Sequence, residues 1–462
     1  MDKFLTLFFV SLYVVCVGLL FTKRRECLIY ITVVFVATND LIFVQLNDVL
    51  GPTLLVVAKA WKETFIAGLL LFNLMRTDPS HPFSVTTITR RIIVVVLILS
   101  ATGFGVGLMR SGLSDGIQQW RRYFVPILLA VLLASSGLPQ RVNPRTLIRL
   151  LLSIACIMAT YAIYEYVTFN GDFTQLWYYN FVAQAKESIS TDAHLLQYQF
   201  MRGDQLRASG FFISAIEYSL FNALALTYAI ISVYTARNFS TRIIFMLVSL
   251  LLIGGEIVAN VRIGWVVFAL ALISVCQIHF VRIKSFSKLA VAPILILALS
   301  FLLIIVGKSD LDASSVGRLA QYAAVPSTFQ IQGYGLGAIT NNGATYKDSW
   351  YISVLMVFGV ASIGYVWLMF LPLTTALPKI KLQSLTELRR NRAAYTLSLG
   401  TIGFFFAQLY VFGFHYSTGL SHLYLLQIFM FNVANNLTSP ARVPTRSPRS
   451  DVRLQSYPSL NQ

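Results

Sequence analysis

The chain has 462 residues, 56% of them hydrophobic and only 12% charged, with a formal net charge of +17. A soluble domain of this size carries far more charged surface, which excludes that class. The positive excess is spread over short loops and a tail, arguing against nucleic acid as a partner and for loops held on the cytoplasmic side of a membrane.

Lipid offers no water to an open backbone, so the long apolar runs predict an all-α fold, a polytopic transmembrane helix bundle. The first run, 4–21, ends in Lys23-Arg24-Arg25 and has no small-residue cleavage site, so it reads as a first span and not as a removed leader. Further spans are predicted at 27–44, 52–75, 91–109, 123–138, 146–165 and 210–234. The series continues at 242–258, 263–281, 289–306, 349–371, 395–413 and 418–436, about 12–13 in all. The segment 52–75 carries Lys59, Lys62 and Glu63; Lys59 and Glu63 stand four apart and can pair on one helix face.

Placing Lys23-Arg24-Arg25 inside fixes the other loops by alternation, and roughly twice as many Lys and Arg then fall inside as outside, the expected bias. Two long loops result, about 166–209 and 307–348, both on the outer face, where function is expected. The membrane domain covers 1–437, and the Ser-, Pro- and Arg-rich tail 438–462 reads as disordered, basic and cytoplasmic. Cys16, Cys27, Cys156 and Cys276 lie in apolar stretches without CxxC spacing and read as core residues.

Three outer arginines carry the chemistry. Arg207 opens the span at 210–234 in Arg207-Ala-Ser-Gly210-Phe-Phe212-Ile-Ser214-Ala-Ile-Glu217, close to a helix N-terminus, with Glu217 two to three turns deeper. A carboxylate at that depth either pairs with another charge or serves a site. Arg262 lies between two spans in Asn260-Val-Arg262-Ile-Gly264-Trp265 and either snorkels to headgroups or faces a ligand. Arg318 lies in the second long loop, ahead of Gly333-Tyr334-Gly335-Leu336-Gly337. That turn lacks the Gly-Lys-Ser/Thr of a nucleotide loop. Guanidinium groups stay charged and grip phosphate oxygens with a planar fork, so the three suit a diphosphate. In the first long loop, Trp177 and Tyr178 belong to an aromatic stretch suited to stacking on sugar rings or to an interfacial belt. Asp310-Leu311-Asp312 reads as a solvated turn, and neither metal nor cofactor is predicted.

Over roughly 200–375 the chain resembles the O-antigen polymerase and ligase group, which joins lipid-linked glycans at the outer face of the bacterial inner membrane. Arg207, Gly210 and Phe212 are similar to its Arg-x-x-Gly-x-Phe segment, and Asn260-Val-Arg262-Ile-Gly264 to its small residue-Arg-Gly segment. Arg318, the Gly335–Gly337 turn and Trp350–Gly359 look like its loop arginine, Gly-x-Gly turn and following span. Ligases of the group carry a His-Asn pair ahead of that last glycine. Here Asp348-Ser349 stands in its place, beside Lys347, and none of His81, His194, His279, His415 or His422 occupies it. That departure favours a polymerase.

The resemblance implies glycosyl transfer between two undecaprenyl-diphosphate-linked sugars, with the lipid diphosphate as leaving group. It makes Arg207, Arg262 and Arg318 the diphosphate clamp, Asp348 or Glu217 the general base, and Gly210, Gly335, Gly337, Trp177 and Tyr178 substrate-binding positions. Implied partners are the bilayer and the lipid-linked glycan, with a chain-length regulator and a flippase as candidates. A ligase using a lipid or protein acceptor is the first alternative, and a transporter or flippase for anionic substrates the second.

Overall fold

The computed structural model describes residues 27–59, 68, 87–111, 113–135, 142–182, 200–202, 204–280, 323–337, 350–369, 371 and 391–410. Its helices are α1 (Cys27–Lys59), α2 (Thr87–Ser111), α3 (Leu113–Ser135), α4 (Pro144–Thr168), α5 (Ala215–Thr235), α6 (Phe239–Ala259), α7 (Arg262–His279), α8 (Trp350–Phe358) and α9 (Arg392–Tyr410). A small antiparallel ribbon, β1 (Met201–Arg202) against β2 (Gln205–Leu206), supplies the strands among the described residues. Seven helical segments among the described residues are long and apolar enough to cross a bilayer. The chain is an all-α, multi-pass membrane bundle.

α5 is its axis. The helix is buried nearly all round, as one packed on several sides must be. It touches α4, α6, α7 and α9. Small residues on it, among them Ser219, Ala223, Ala225 and Ala229, let neighbouring backbones approach. Across the α9 contact, Gly400 leaves room for the ring of Tyr228, whose hydroxyl bonds Thr401. α4 shows how its start is written in sequence: Pro144 supplies a helical φ at the first position, and the Asn143 side chain accepts from Arg145 N at 3.0 Å.

The segments at 91–109, 146–165, 242–258, 263–281 and 349–371 appear as spans close to their expected limits, and the one at 395–413 as α9. Three expectations are corrected. Segments 27–44 and 52–75 were expected to be separate spans, yet one helix runs unbroken from Cys27 to Lys59, about 50 Å long. Pro52 removes one N–H from the helical ladder, which a helix already nucleated on both sides tolerates. Residues 110–122 were expected to be an outer loop. Instead α3 begins at Leu113, so Arg121 and Arg122 are helical, and Trp120 Nε1 reaches across to Ser100 Oγ on α2 at 2.7 Å. Residues 210–214 are not helical, because Gly210 takes a left-handed φ of +60° and α5 starts only at Ala215. The expected spans at 4–21, 289–306 and 418–436, most of 52–75, and the tail 438–462 lie outside the described residues.

The bundle has two distinguishable ends. Asn143 N donates to the Tyr30 hydroxyl at 3.0 Å, so α1 and α4 start together. At that end Tyr234 of α5 and Tyr395 of α9 both bond the ring of His279 of α7, and Arg392 donates to Thr235 O. The opposite end gathers the C-termini of α4 and α6, the N-termini of α5 and α7, and the described connecting residues 204–214. This is the alternation expected for 146–281.

The spanning segment Tyr351–Met369 is broken. α8 stops at Phe358, a tight turn Gly359–Ala361 follows, and helix resumes through 362–369. The carbonyls such a break would strand in lipid are taken by the glycine turn: Tyr334 N bonds Met356 O at 2.7 Å and Gly335 N bonds Val357 O at 3.0 Å. Val360 N returns a bond to Ile331 O at 2.9 Å. Leu336 N bonds Gly103 O of α2 at 2.8 Å, and Gly337 N bonds the Gln119 side chain of α3. Gly103 stands six residues inside the Met109 end of its span, so the turn dips about 9 Å below it.

Candidate functional site

Arg207 and Arg262 stand on two segments that are bonded to each other. Ala208 N, next to Arg207, donates to Val258 O at 3.1 Å, in the last turn of α6. Asn260 closes that helix in a left-handed conformation with φ +50°. Two residues on, Arg262 is the first residue of α7 and is exposed. A cation there opposes the positive end of the helix dipole, a cost of about 0.3–1 kcal/mol, so helix stability does not account for the choice. Arg207 is half-buried and non-helical, eight residues before α5 begins. The expectation that it opens the span is therefore corrected.

A third cation joins them. Arg202, on β1, donates to Asn260 O at 3.3 Å, and Asn260 Nδ2 donates to Gln205 Oε1 on β2 at 3.4 Å. The ribbon thus ties a third guanidinium to the turn that precedes Arg262. Sequence reasoning passed over Arg202 because no span begins beside it. Arg318 and Asp348 lie outside the described residues.

Glu217 is 1% exposed and lies in the first turn of α5, not two to three turns deep, because the helix starts later than expected. Ser214 and Glu217 have the spacing of a capping box, although the Ser214 side chain makes no cap bond. A carboxylate in a first turn is favoured by the dipole, which explains its place without chemistry.

Other carboxylates build the site. Glu165, near the end of α4, accepts from Ser209 N at 3.0 Å, two residues after Arg207. Asp40, on α1, accepts from Ile213 N at 3.2 Å and is held by Asn39 Nδ2 at 3.0 Å. Glu256, on α6, takes the hydroxyl of Ser219 and the amide of Asn222, the latter at 2.9 Å. Asn222 Nδ2 also bonds Leu252 O at 2.8 Å, locking α5 to α6. Gly264, in the first turn of α7, lies so close to Ser219 Oγ and Glu256 Oε1 that a Cβ would overlap both. A carboxylate inside an apolar run is itself a signal, and in these three residues it was overlooked.

The aromatic stretch closes over this floor. Tyr178 is 1% exposed and packs with Leu176, Phe200, Leu206 and Val44 of α1, so it offers no ring to a sugar. Burial first, and then the Glu165 charge, push its hydroxyl well above the usual range, which keeps it protonated. Trp177 is half-buried, its indole nitrogen bonded to Gly210 O at 3.1 Å. Gly210 is buried, and a Cβ on it would press on the Tyr218 ring at 3.1 Å. Gly210 and Tyr178, expected as substrate-binding positions, are both buried in the packing of this floor. Gly335 and Gly337 are buried as well, with their amides bonded inside the protein.

Two open grooves lie elsewhere. One of about 340 Å³ follows the glycine turn past Thr102, Val106, Met109 and Phe358. The other, about 600 Å³, lies between α5 and α6 near Tyr234 and Arg242. Neither is lined by Arg207 or Arg262, and both are walled mainly by apolar side chains. No group of three or more His, Cys, Asp or Glu among the described residues is arranged to hold a metal ion. No protein-family model and no curated protein sequence matches the chain.

Proposed function

We propose that the chain is a membrane glycosyltransferase that polymerises undecaprenyl-diphosphate-linked oligosaccharide repeats into a surface polysaccharide at the outer face of a bacterial inner membrane. The observation that carries the reading is the direct bonding of the Arg207 segment to the last turn of α6, four residues before Arg262, with Arg202 bonded to the Asn260 carbonyl between them. Such a cluster at one mouth of a membrane bundle suits a lipid-borne diphosphate, whose charge stays at the headgroup level while its tail stays in the bilayer.

In the reaction, an acceptor hydroxyl oxygen forms a bond to the anomeric carbon of the growing glycan. The bond from that carbon to the phosphate oxygen breaks, and its electron pair leaves on the diphosphate. The hydroxyl proton passes to a base, for which Asp348 and Glu217 are the candidates from sequence. Fixed guanidiniums stabilise charge as it develops on the leaving group, the largest electrostatic task in the step.

The test is transfer by the purified protein in lipid vesicles given a lipid-linked repeat unit. Chain growth, with one lipid diphosphate released per linkage, supports a polymerase. Transfer of a single glycan to a different acceptor would make it a ligase, and no transfer at all would overturn the assignment.

A further inference from the structure

We infer that Glu165 and Glu256 are positioning residues that set the separation of Arg207 and Arg262, an inference that rests on the diphosphate reading of the two arginines. Each glutamate controls the backbone two residues beyond one arginine. Glu165 holds Ser209 N at 3.0 Å, and so holds the non-helical strand that carries Arg207. Glu256 fills the space under Gly264 together with Ser219, and so sets the angle at which the first turn of α7, with Arg262, meets α5 and α6.

One residue couples the two supports. Tyr218 of α5 lies under Gly210 with its ring and against Gly255, the neighbour of Glu256, with its hydroxyl. Neither glycine leaves space for a larger side chain there. The strand of Arg207 and the helix that ends before Arg262 therefore rest on opposite parts of a single fixed ring. Both glutamates are buried, at 6% and 1% exposure, and bonded to the framework of the bundle. Their bonds are to an amide, a hydroxyl and a carboxamide, all of which a glutamine can also satisfy.

The experiment measures binding of undecaprenyl diphosphate, and transfer turnover, by the full chain in nanodiscs. Glu165→Ala and Glu256→Ala should each weaken binding by roughly tenfold to a hundredfold, with turnover falling as well, because displaced clamps lose both affinity and alignment. Glu165→Gln and Glu256→Gln should recover most of the affinity. Gly264→Ala puts a Cβ where Glu256 Oε1 and Ser219 Oγ sit, so it displaces either the Glu256 carboxylate or α7, and either displacement should reproduce the Glu256→Ala loss even if that variant fails to fold. Native affinity in Gly264→Ala, or in the folded alanine variants, overturns the inference while the arginine clamp survives. Glutamine variants as weak as the alanines would also overturn it, since charge and not placement would then be responsible. If Arg207→Ala and Arg262→Ala bind normally, the diphosphate reading itself fails and the inference falls with it.

Discussion

Two glycine-containing interruptions of the helical bundle invite comparison: the arginine-bearing segment at 205–214 and the turn at 331–337. The second is held by backbone bonds and one neutral side chain, that of Gln119. Its amides meet Met356, Val357 and Gly103 carbonyls, and the interruption of α8 and the turn complete each other. The first has backbone bonds of its own, Arg207 N to Phe200 O and Ala208 N to Val258 O, and adds ionisable side chains, Asp40 from α1 and Glu165 from α4, with Glu256 under the adjoining turn. Carboxylates in a membrane protein are expensive, and carbonyls would have sealed an interruption at less cost. A segment fixed by carboxylates in this way holds Arg207 at a set place at that end of the bundle, whereas the glycine turn fills space. On the diphosphate reading, the difference marks which of two similar-looking motifs would present chemistry.

The largest expected effect falls on the first region. Replacing Arg207 or Arg262 by Ala should raise the transfer barrier by about 3 kcal/mol, roughly a hundredfold in rate, with melting temperature little changed. Equal rates in variant and parent, measured on purified protein, would erase the contrast between the regions. The glycine turn should behave in the opposite way. Gly107→Ala places a methyl against the Leu336 backbone, and Gly335→Ala forces a residue at φ +84°. Each should destabilise the fold by about 2 kcal/mol while the folded fraction keeps its diphosphate affinity. Thermal unfolding in detergent paired with a binding titration separates those two outcomes.

Much of the bundle was legible because apolar runs of bilayer length announce themselves, and 91–109 and 146–165 became spans almost as read. Two adjacent runs, 27–44 and 52–75, read as separate spans, yet α1 continues through Pro52 to Lys59, since a proline weakens a helix without always ending it. The position of Arg262 was clear from its place between spans. That of Arg207 was only half clear, because nothing local reveals that Gly210 delays α5 until Ala215. Glu165 and Glu256 were overlooked for a similar reason: their partners, Ser209, Ser219 and Asn222, stand far away in sequence and come near only through packing.

Smaller effects sharpen the comparison. Trp177→Phe removes one hydrogen bond to Gly210 O and should cost about 1 kcal/mol of stability, read as faster amide exchange across 205–214 than across 331–337. The smallest concerns pH. The Thr174 hydroxyl first, and its amide next, hold the exposed Asp172 carboxyl below the usual carboxylate range. A carboxyl whose folded value is depressed stabilises the fold above its unfolded value, about 3.9, and that contribution is lost as pH falls through the folded value. Trp177 fluorescence should therefore change on acidification below about pH 4 in the parent, and Asp172→Asn should lack that transition.

The central claim is that one diphosphate is received by both arginines, and a double-mutant cycle on undecaprenyl diphosphate binding tests it most directly. If Arg207 and Arg262 share the ligand, the loss in the double variant should differ from the sum of the single losses by more than about 1 kcal/mol. Losses that add within roughly 0.5 kcal/mol, or an Arg262→Ala variant that binds like the parent, would contradict it.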